Sequence, residues 1–369
     1  MKVAIIHYWL VNMRGGEKVI ESLLEMFPFA DIYTHVYEPK YISPIINSKR
    51  IYTSRIARLP LANKYYQFYM PFMPAALMDF NLQDYDLVIS SESGPSKGIV
   101  PNPNAYHICY CHSPMRYLWD MYHDYFEKTS IFVRFFMKRL IPNLRLWDVT
   151  SSNLVDCFVA NSSYVAKRIK RYYNRDSIVV YPPVNIDKYL LVDRSPNNKY
   201  DEFYLFFSQL NDYKRVDIAI EACINLKKKL IIAGGGAKKK IIKKYKKNRL
   251  VKFIGRVSDN QICELYSTAK ALLFPGIEDF GIIPVEACAA GCPVIAYRQG
   301  GALETVKENV TGIFFDEQTH ESLEIAIKHF ESHQDQFNNR ELFNQHAQNF
   351  SLNIFRENIS KIVNERKRI

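Results

Sequence analysis

The sequence predicts an α/β protein with two parallel-sheet domains, and three observations support this prediction. Short apolar runs typical of buried strands alternate with longer amphipathic stretches typical of helices. The alternation occurs in two series, which meet at a break at Tyr181-Pro182-Pro183-Val184. Strands that are apolar throughout indicate parallel sheets covered by helices on both faces. We therefore expect two Rossmann-like domains facing a cleft, and 369 residues are enough for two separate cores.

The first domain is expected over residues 1–184. Its first helix, Gly16–Phe27, carries an apolar stripe at helical spacing. Its strands are expected at Lys2–Ile6, Asp31–Val36, Asp86–Ile89, Tyr106–Tyr110, Phe158–Ala160 and Ile178–Val180.

The second domain is expected over residues 185–351, after which a terminal helix runs from about Leu352 to Arg366. A polar stretch, Asp193–Tyr200, lies just past the junction. Helices are expected at 215–226, 237–247 and 258–269. Strands are expected at Phe203–Phe207, Lys229–Ala233, Val251–Ile254, Ala271–Phe274, Val294–Tyr297 and Gly312–Phe315.

Two glutamates, Glu278 and Glu286, are separated by seven residues and form the most informative feature of the chain. Pro284 suits the first turn of a helix, and Gly291 can end that helix in a left-handed conformation. Glu278 is therefore expected in a loop at the carboxyl end of a strand, and Glu286 on the helix that follows. The amides of residues 281–283 would point out of a positive helix terminus, where sheet proteins bind phosphate. Such amides beside two carboxylates suit the phosphates and hydroxyl groups of a nucleotide sugar.

A pair of glutamates at this spacing is, taken alone, more often solvated surface, and the longer pattern argues against that alternative. The segment resembles the donor-site signature of retaining glycosyltransferases of the GT-B fold, particularly their large fourth sequence family. The shared pattern contains Phe280-Gly281 between the glutamates, then Glu286-Ala287 and the strand Gly291-Cys292-Pro293-Val294-Ile295. The resemblance covers nearly the whole chain. It implies GT-B architecture, with an acceptor-binding first domain, a donor-binding second domain, and residues 352–369 returning to the first domain.

The resemblance also implies roles for residues of this segment. Glu286 would bind the ribose hydroxyls of the donor, and Glu278 would contact hydroxyls of the donor sugar. The backbone amides would hold phosphate and sugar oxygens. The donor-binding residues expected from this segment are Glu278, Asp279, Phe280, Gly281, Ile282, Ile283 and Glu286.

A second motif, Ser208–Asp217, resembles the family pattern Ser-Arg-Leu-x-x-Tyr-Lys-Arg-Val-Asp. In the family an arginine and a lysine hold the donor diphosphate. Here Lys214 is present, and such a cation stabilises a departing diphosphate. Gln209 replaces the arginine and supplies no charge, so we expect weaker donor binding unless Arg215 or Arg14 compensates.

A third segment, Gly255-Arg256-Val257, matches the place where relatives contact the base, so Arg256 and Val257 are also expected in the donor site. Gly234-Gly235-Gly236 could bring backbone close to the nucleotide.

In the first domain, Gly15 and Gly16 lie between the first strand and helix, where backbone can approach an anion. His112 opens a run, His112–Asp120, that resembles the His-Thr-Pro-Met-Arg-Tyr-x-Trp-Asp segment of bacterial polysaccharide mannosyltransferases. In related enzymes the matching histidine lies against the transferred sugar. We therefore expect His112 to be catalytic, together with Lys214 and Glu278; a buried structural histidine is the alternative.

Composition limits the partners. The net charge of +11 and the lysine-rich stretch Lys238–Lys247 allow a nucleic acid, a solvated helix face or an anionic membrane. No nucleic-acid motif is present, so no nucleic-acid partner is expected. Aromatic and basic residues concentrate in 61–80 and 112–150; they either pack in the core or form a surface that contacts a bilayer.

The sequence predicts neither a cofactor nor a metal ion, because the seven cysteines lack metal-ligand spacing. Met1-Lys2 leads directly into a strand-like run without a signal peptide, so we expect a cytoplasmic protein, peripheral on the inner face of the cytoplasmic membrane.

We therefore expect a retaining hexosyltransferase, specifically a mannosyltransferase that uses GDP-mannose. The acceptor would be a lipid-linked saccharide in O-antigen or capsule biosynthesis. Two alternatives stay open: a UDP-sugar-dependent transferase, and a catalytically weak nucleotide-sugar binding subunit, which Gln209 permits.

Overall fold

The computed structural model describes residues 1–191, 203–236 and 239–365. The polar stretch Asp193–Tyr200, the first two residues of the predicted helix 237–247 and residues 366–369 lie outside the described residues. The chain divides into two compact units, Met1–Pro183 with Phe355–Ile369, and Val184–Ile354. Each unit contains a parallel sheet with helices, as the sequence predicts.

The sheet of the first unit has the strand order β3-β2-β1-β4-β5-β6-β7. Successive strands are added on one side of β1 up to β3 and on its other side from β4 onward. The direction of winding therefore reverses between β1 and β4. The strands are β1 Val3–His7, β2 Asp31–Thr34, β3 Ile51–Thr53, β4 Leu87–Glu92, β5 Tyr106–Cys111, β6 Cys157–Ala160 and β7 Ile178–Val179.

Helices cover this first sheet, and the terminal helix of the chain is one of them. Its residues Phe355, Ile359, Ile362 and Val363 are buried in the same core cluster as residues of β1, β4 and β5. The prediction that this helix returns to the first domain is therefore confirmed. The α-helices of the unit are Gly15–Met26, Pro44–Asn47, Ala62–Tyr65, Met73–Ala76, Tyr122–Glu127, Ile131–Ser151, Ser163–Tyr173 and Leu352–Glu365, whose first residues precede the unit boundary.

The sheet of the second unit has the order β10-β9-β8-β11-β12-β13, so its winding reverses between β8 and β11. Its strands are β8 Phe203–Phe207, β9 Lys229–Ala233, β10 Val251–Gly255, β11 Leu272–Phe274, β12 Val294–Tyr297 and β13 Gly312–Phe315. Its α-helices are Asp187–Leu190, Val216–Asn225, Lys239–Tyr245, Asp259–Thr268, Ile282–Ala289, Ala302–Thr305, His320–Ser332 and Arg340–Gln348.

The helix that carries Glu286 ends as the sequence predicts. Gly291 has φ +73°, and its amide donates to the carbonyl of Cys288 over 2.8 Å. The amide of Cys292 donates to Ala287, also over 2.8 Å. This pair of bonds is a Schellman motif, which satisfies the last carbonyls of the helix.

Two elements differ from the sequence expectation. Strand β3 was not expected, because it is only three residues long and lies at the edge of the sheet. Residues 131–151, within the segment that interrupts the predicted pattern, form a helix of 21 residues. Its exposed aromatic side chains weaken the amphipathic pattern by which helices are recognised in sequence.

Candidate functional site

The expected donor residues of the second unit lie where its winding reverses. The loop after β8 holds Gln209 and Lys214, and the loop after β11 holds Glu278. These two strands are hydrogen-bonded neighbours in the sheet. Ligands of parallel α/β sheets bind beyond the carboxyl ends of the strands at this point of reversal.

A glycine allows the two loops to pack closely. A Cβ on Gly276 would lie 2.9 Å from Cα of Lys214 and 3.0 Å from the carbonyl oxygen of Tyr213. Backbone atoms cannot move away as a flexible side chain can, so a larger residue at position 276 would push Lys214 away from the loop. Gly276 therefore fixes the position of Lys214.

Lys214 and Glu278 form a direct ion pair between the lysine Nζ and the carboxylate Oε1. The two side chains are 12% and 17% exposed, so both are largely shielded from solvent. The structure thus brings together two of the three residues expected to be catalytic, one from each loop. Lys214 can therefore interact with a phosphate only if it separates from Glu278 or contacts the carboxylate and the phosphate at the same time.

Gly300 and Gly301 pack against the backbone of the loop that carries Glu278. The sequence analysis did not predict this contact. The amide of Gly301 donates to the carbonyl of Glu278 over 2.9 Å. A Cβ on Gly300, whose φ is +74°, would lie 2.5 Å from that carbonyl, and one on Gly301 would collide with Phe280. The signal in the sequence that could have predicted this contact is the pair of adjacent glycines, Gly300-Gly301, after β12.

The helix Ile282–Ala289 begins at Gly281, which has φ +94° and ψ +70°. Residues with a side chain rarely adopt this conformation, so the turn requires glycine. The amides of Gly281, Ile282 and Ile283 have no carbonyl partner inside the helix, and they point along its positive end. The adjacent Phe280 is buried and packs against Phe350, with ring centroids 5.6 Å apart. Asp279 lies partly exposed in the same loop.

Glu286 lies one turn into this helix in an environment poor in water. Burial raises the pKa of its carboxyl group to about 7, although Tyr189, Lys188 and Tyr266 favour the charged form. The Tyr266 hydroxyl lies 3.5 Å from Glu286 Oε2. Glu286 is therefore partly protonated at neutral pH, and a ligand that donates hydrogen bonds to it would favour the carboxylate.

Gln209, which replaces the family arginine, is exposed. Arg215, the first candidate to compensate for it, is held by other partners. Its guanidinium is 3.0 Å from Asp217 Oδ2, and its Nη1 donates to Gln318 over 3.3 Å. Gln318 also donates to the carbonyl of Pro275 over 2.8 Å. Arg215 therefore braces the loop after β11, and its charge is already offset by a carboxylate.

The loops after β9 and β10 meet at Arg256. Its Nε lies 3.0 Å from the place that a Cβ on Gly235 would occupy. The amide of Gly234 donates to the carbonyl of Gly255 over 2.6 Å. Arg256 is exposed and Val257 is partly buried, so both remain accessible at the carboxyl edge of the sheet.

In the first unit, His112 belongs to a chain of polar contacts that we call the histidine chain: His112, Ser91, His7 and Glu17. His112 Nε2 lies 2.8 Å from Ser91 Oγ, which lies 3.0 Å from His7 Nδ1. His7 Nε2 is 3.6 Å from Glu17 Oε1, within ion-pair range and longer than a hydrogen bond. His112 is partly exposed, whereas the other three side chains are buried.

Gly15 and Gly16 open the helix Gly15–Met26 next to this chain. A Cβ on Gly16 would lie 3.4 Å from the His7 ring and 3.6 Å from His112 Nε2. The structure therefore brings Gly16 and His112 together, as members of one cluster. His7, Ser91 and Glu17 were missed by sequence reasoning, since nothing in the local sequence links them.

The segment that follows His112 is held by two partners that explain its aromatic and acidic residues. Trp119 Nε1 donates to Asp148 Oδ2 over 2.8 Å, and Arg168 pairs with Asp120 at 2.5 Å. Asp148 also pairs with the fully buried Lys97. Although burial lowers the pKa of Lys97, its carboxylate partners hold that pKa above the usual range. These residues of the motif are structural and fix the backbone next to His112.

Within the parts of the chain that the structure describes, no group of three or more His, Cys, Asp or Glu side chains is placed to hold a metal ion. The expectation of a site without metal or cofactor stays a prediction.

Two Rossmann-like domains with polar loops at both points of strand reversal are the architecture of the GT-B fold, which many glycosyltransferases share. Residues 13–188 match the family model described as Glycosyltransferase Family 4. Residues 190–350 match the model described as Glycosyl transferases group 1. The two matches are adjacent and together span nearly the whole chain, so the chain belongs to the GT-B glycosyltransferases.

Individual relatives agree with this class. Human alpha-1,3/1,6-mannosyltransferase ALG2 is 30% identical over 214 residues, which are 48% of this chain and 50% of ALG2. The GDP-mannose-dependent alpha-(1-6)-phosphatidylinositol monomannoside mannosyltransferase of Mycobacterium tuberculosis is 38% identical over 74 residues, 18% of this chain and 19% of that protein. The chain thus matches half or less of the length of these curated relatives.

Among solved structures, Anabaena Alr3699/HepE in complex with UDP superimposes with a TM-score of 0.72 and 17% identity. The alignment covers 99% of this chain and 100% of that one. At this identity the similarity shows the fold alone, which is the predicted GT-B fold.

Proposed function

We propose that the protein transfers mannose from GDP-mannose to a lipid-linked saccharide, with retention of anomeric configuration. The arrangement of Lys214, Glu278 and Glu286 around a glycine-initiated helix carries this proposal. The amides of Gly281 to Ile283 suit phosphate or sugar oxygens, Lys214 suits the diphosphate, and Glu286 suits ribose hydroxyls. The mannosyltransferase names of ALG2 and the mycobacterial relative support mannose, and the latter name supports GDP.

The proposed transfer occurs on one face of the sugar. The bond from the anomeric carbon to the phosphate oxygen breaks, the acceptor oxygen bonds to that carbon, and the leaving phosphate oxygen takes the acceptor proton. Lys214 stabilises the growing negative charge of the diphosphate. Glu278 contacts hydroxyls of the sugar. Because it pairs with Lys214, it also weakens the attraction between that lysine and the phosphate.

A UDP-sugar is the second candidate donor, because the structurally similar HepE is a UDP complex. A catalytically weak binding subunit is the third, because Gln209 leaves Lys214 without the usual arginine.

Donor titration and product analysis test the proposal together. Calorimetry with GDP, UDP and their hexose conjugates should give the tightest binding for GDP and GDP-mannose. Proton NMR of the first product should show the donor's anomeric configuration. Preference for UDP would overturn the choice of donor, and an inverted linkage would overturn the retaining mechanism. Binding without transfer to any saccharide acceptor would favour the binding subunit.

We also propose a cytoplasmic location in which the first unit contacts the inner face of an anionic membrane, where a lipid-linked acceptor for O-antigen or capsule assembly would lie. The helix Ile131–Ser151 supports this contact. Phe132 and Phe135 are 77% and 66% exposed, and Arg139 is exposed on the same helix. Aromatic rings that enter the interface beside cations that meet lipid phosphate are typical of peripheral binding. No helix among the described residues is long and apolar enough to cross a bilayer.

A further inference from the structure

The histidine chain occupies the point of winding reversal in the first sheet. His7 ends β1, Ser91 lies in β4, and His112 follows β5. Register pairs His7 directly with Ser91 across the two parallel strands. Sheet register therefore fixes the relative positions of the His7 and Ser91 backbones.

The negative charge of Glu17, at the buried end of the histidine chain, determines which nitrogen of His7 carries a proton. Burial raises the pKa of Glu17, yet contacts with His7 and with backbone amides hold it below the usual range, so Glu17 is a carboxylate. Its Oε2 already accepts the Arg14 amide over 2.8 Å. Oε1 then favours a proton on the facing His7 Nε2. In the neutral form of the His7 ring, a proton on Nε2 leaves Nδ1 as an acceptor, and Ser91 then donates to it.

The same reasoning continues to His112. A Ser91 hydroxyl that donates to His7 offers its oxygen to His112, so His112 Nε2 must carry the proton. We propose that Ser91 and His7 are positioning residues that hold His112 through Nε2 and fix its neutral ring as the Nε2–H tautomer, leaving Nδ1 as the acceptor. This inference deepens the proposed function, because it sets the chemistry of the histidine expected at the transferred sugar.

The two phenols beside the histidine chain, those of Tyr8 and Tyr110, bring no charge that would change this order. The Tyr110 ring packs against His112 with centroids 5.1 Å apart, and Tyr8 lies beside Gly16. Burial raises the pKa of both phenols, so both stay neutral. Arg14 lies at the start of the same helix as Glu17, and the main-chain carbonyl of Glu92 accepts the His112 amide over 2.8 Å.

The adjacent residue provides a matched control. Ser90 Oγ lies 2.8 Å from His107 Nε2, so a second serine–histidine pair links β4 to β5. Ser90, Ser91 and His107 are all fully buried. Ser90→Ala therefore removes a buried hydroxyl of the same kind without touching the histidine chain.

Side-chain NMR tests the inference without any need for activity. Long-range proton–nitrogen spectra of ¹⁵N-labelled protein, with the His112 signals assigned from His112→Gln, should show the Nε2–H tautomer at high pH. Ser91→Ala should give a mixture of tautomers, and Ser90→Ala should leave the His112 signals unchanged. His7→Asn, which keeps an amide near Ser91 but removes the contact with Glu17, should also weaken the preference. Circular dichroism would verify the fold of each variant.

Kinetics form the second readout. Ser91→Ala should lower kcat about five- to tenfold, the loss expected for one hydrogen bond, with little change in KM for the donor. An Nδ1–H tautomer in the wild type, or unchanged His112 signals in both Ser91→Ala and His7→Asn, would overturn the inference. If the NMR results hold but no sugar donor is used, the proposed function fails while the positioning role stands.

Discussion

Lys214 and Glu278 lie in different loops of the second sheet and neutralise each other. The cation that we propose for a diphosphate and the carboxylate that we propose for sugar hydroxyls are therefore paired with each other in the ligand-free protein. Gly276, packed against Lys214, and Gly301, bonded to Glu278, hold the two loops at this distance. Binding of a nucleoside diphosphate must compete with this internal carboxylate.

Glu278→Gln should therefore bind GDP more tightly, by about three- to tenfold. The substitution keeps the shape of the side chain, releases the lysine and removes a negative charge near the phosphates. Transfer should nevertheless slow, because the neutral amide contacts the sugar hydroxyls less strongly. Calorimetry with GDP gives the affinity, and Glu308→Gln, which breaks the pair with Arg298, is the control. Weaker GDP binding would show that Glu278 holds Lys214 in its productive position.

Glu286→Gln should stabilise the ligand-free protein at pH 8 and have little effect near pH 4. The folded-state pKa of Glu286 is raised to about 7, so its contribution to stability is present below about pH 4.5 and is lost as pH rises through 7. The ionised group costs up to about 3 kcal/mol at pH 8. Chemical unfolding at several pH values would measure the difference. A constant difference across this range would mean that Glu286 titrates normally.

Gln209→Arg should tighten GDP binding by up to about tenfold, since one charge-assisted contact is worth about 1.4 kcal/mol or somewhat more. Arg215 is held by Asp217 and Gln318, so its charge does not replace the missing arginine. Calorimetry compares this variant with Gln336→Arg, which adds the same charge at an exposed position of the second unit. Weaker binding by Gln209→Arg alone would indicate that another cation already fills that place.

Sedimentation with vesicles tests whether the helix Ile131–Ser151 binds an anionic membrane. The wild type should bind vesicles containing anionic lipid at low salt and dissociate at high salt, because the Debye length shortens. Replacing both Phe132 and Phe135 by Ser should weaken binding at least about tenfold, since each ring gives up apolar contact. Phe29→Ser removes a ring that is 97% exposed elsewhere in the unit and should have no effect. An equal loss of vesicle binding in the Phe132/Phe135 variant and in Phe29→Ser would show that this helix does not form the membrane contact.

The segment around Glu278 and Glu286 was predictable from sequence because the residues that determine its conformation lie within the segment itself. Pro284, Gly281 and Gly291 each impose a backbone conformation on their own turn, so the strand, loop and helix around Glu278 and Glu286 appear in the structure as expected. Strands β8, β9, β12 and β13 were predicted to the residue, because each is a continuous apolar run.

The histidine chain was not predictable, because its contacts depend on strand register. His7 and Ser91 are 84 residues apart and meet only when β1 pairs with β4. No local pattern distinguishes Ser91, which faces His112, from Ser90, which faces His107. The Lys214–Glu278 pair was not predictable either, because the two residues are 64 positions apart and meet only through the pairing of β8 with β11.

The return of the helix Leu352–Glu365 has a consequence for biosynthesis on the ribosome. Phe355, Ile359, Ile362 and Val363 complete the core of the unit that begins at Met1. The core of that unit therefore stays incomplete until residues 352–365 have left the exit tunnel, whereas the intervening unit, Val184–Ile354, is synthesised earlier. A nascent chain that lacks this helix would expose the apolar residues that the helix covers, which is the kind of surface that chaperones recognise.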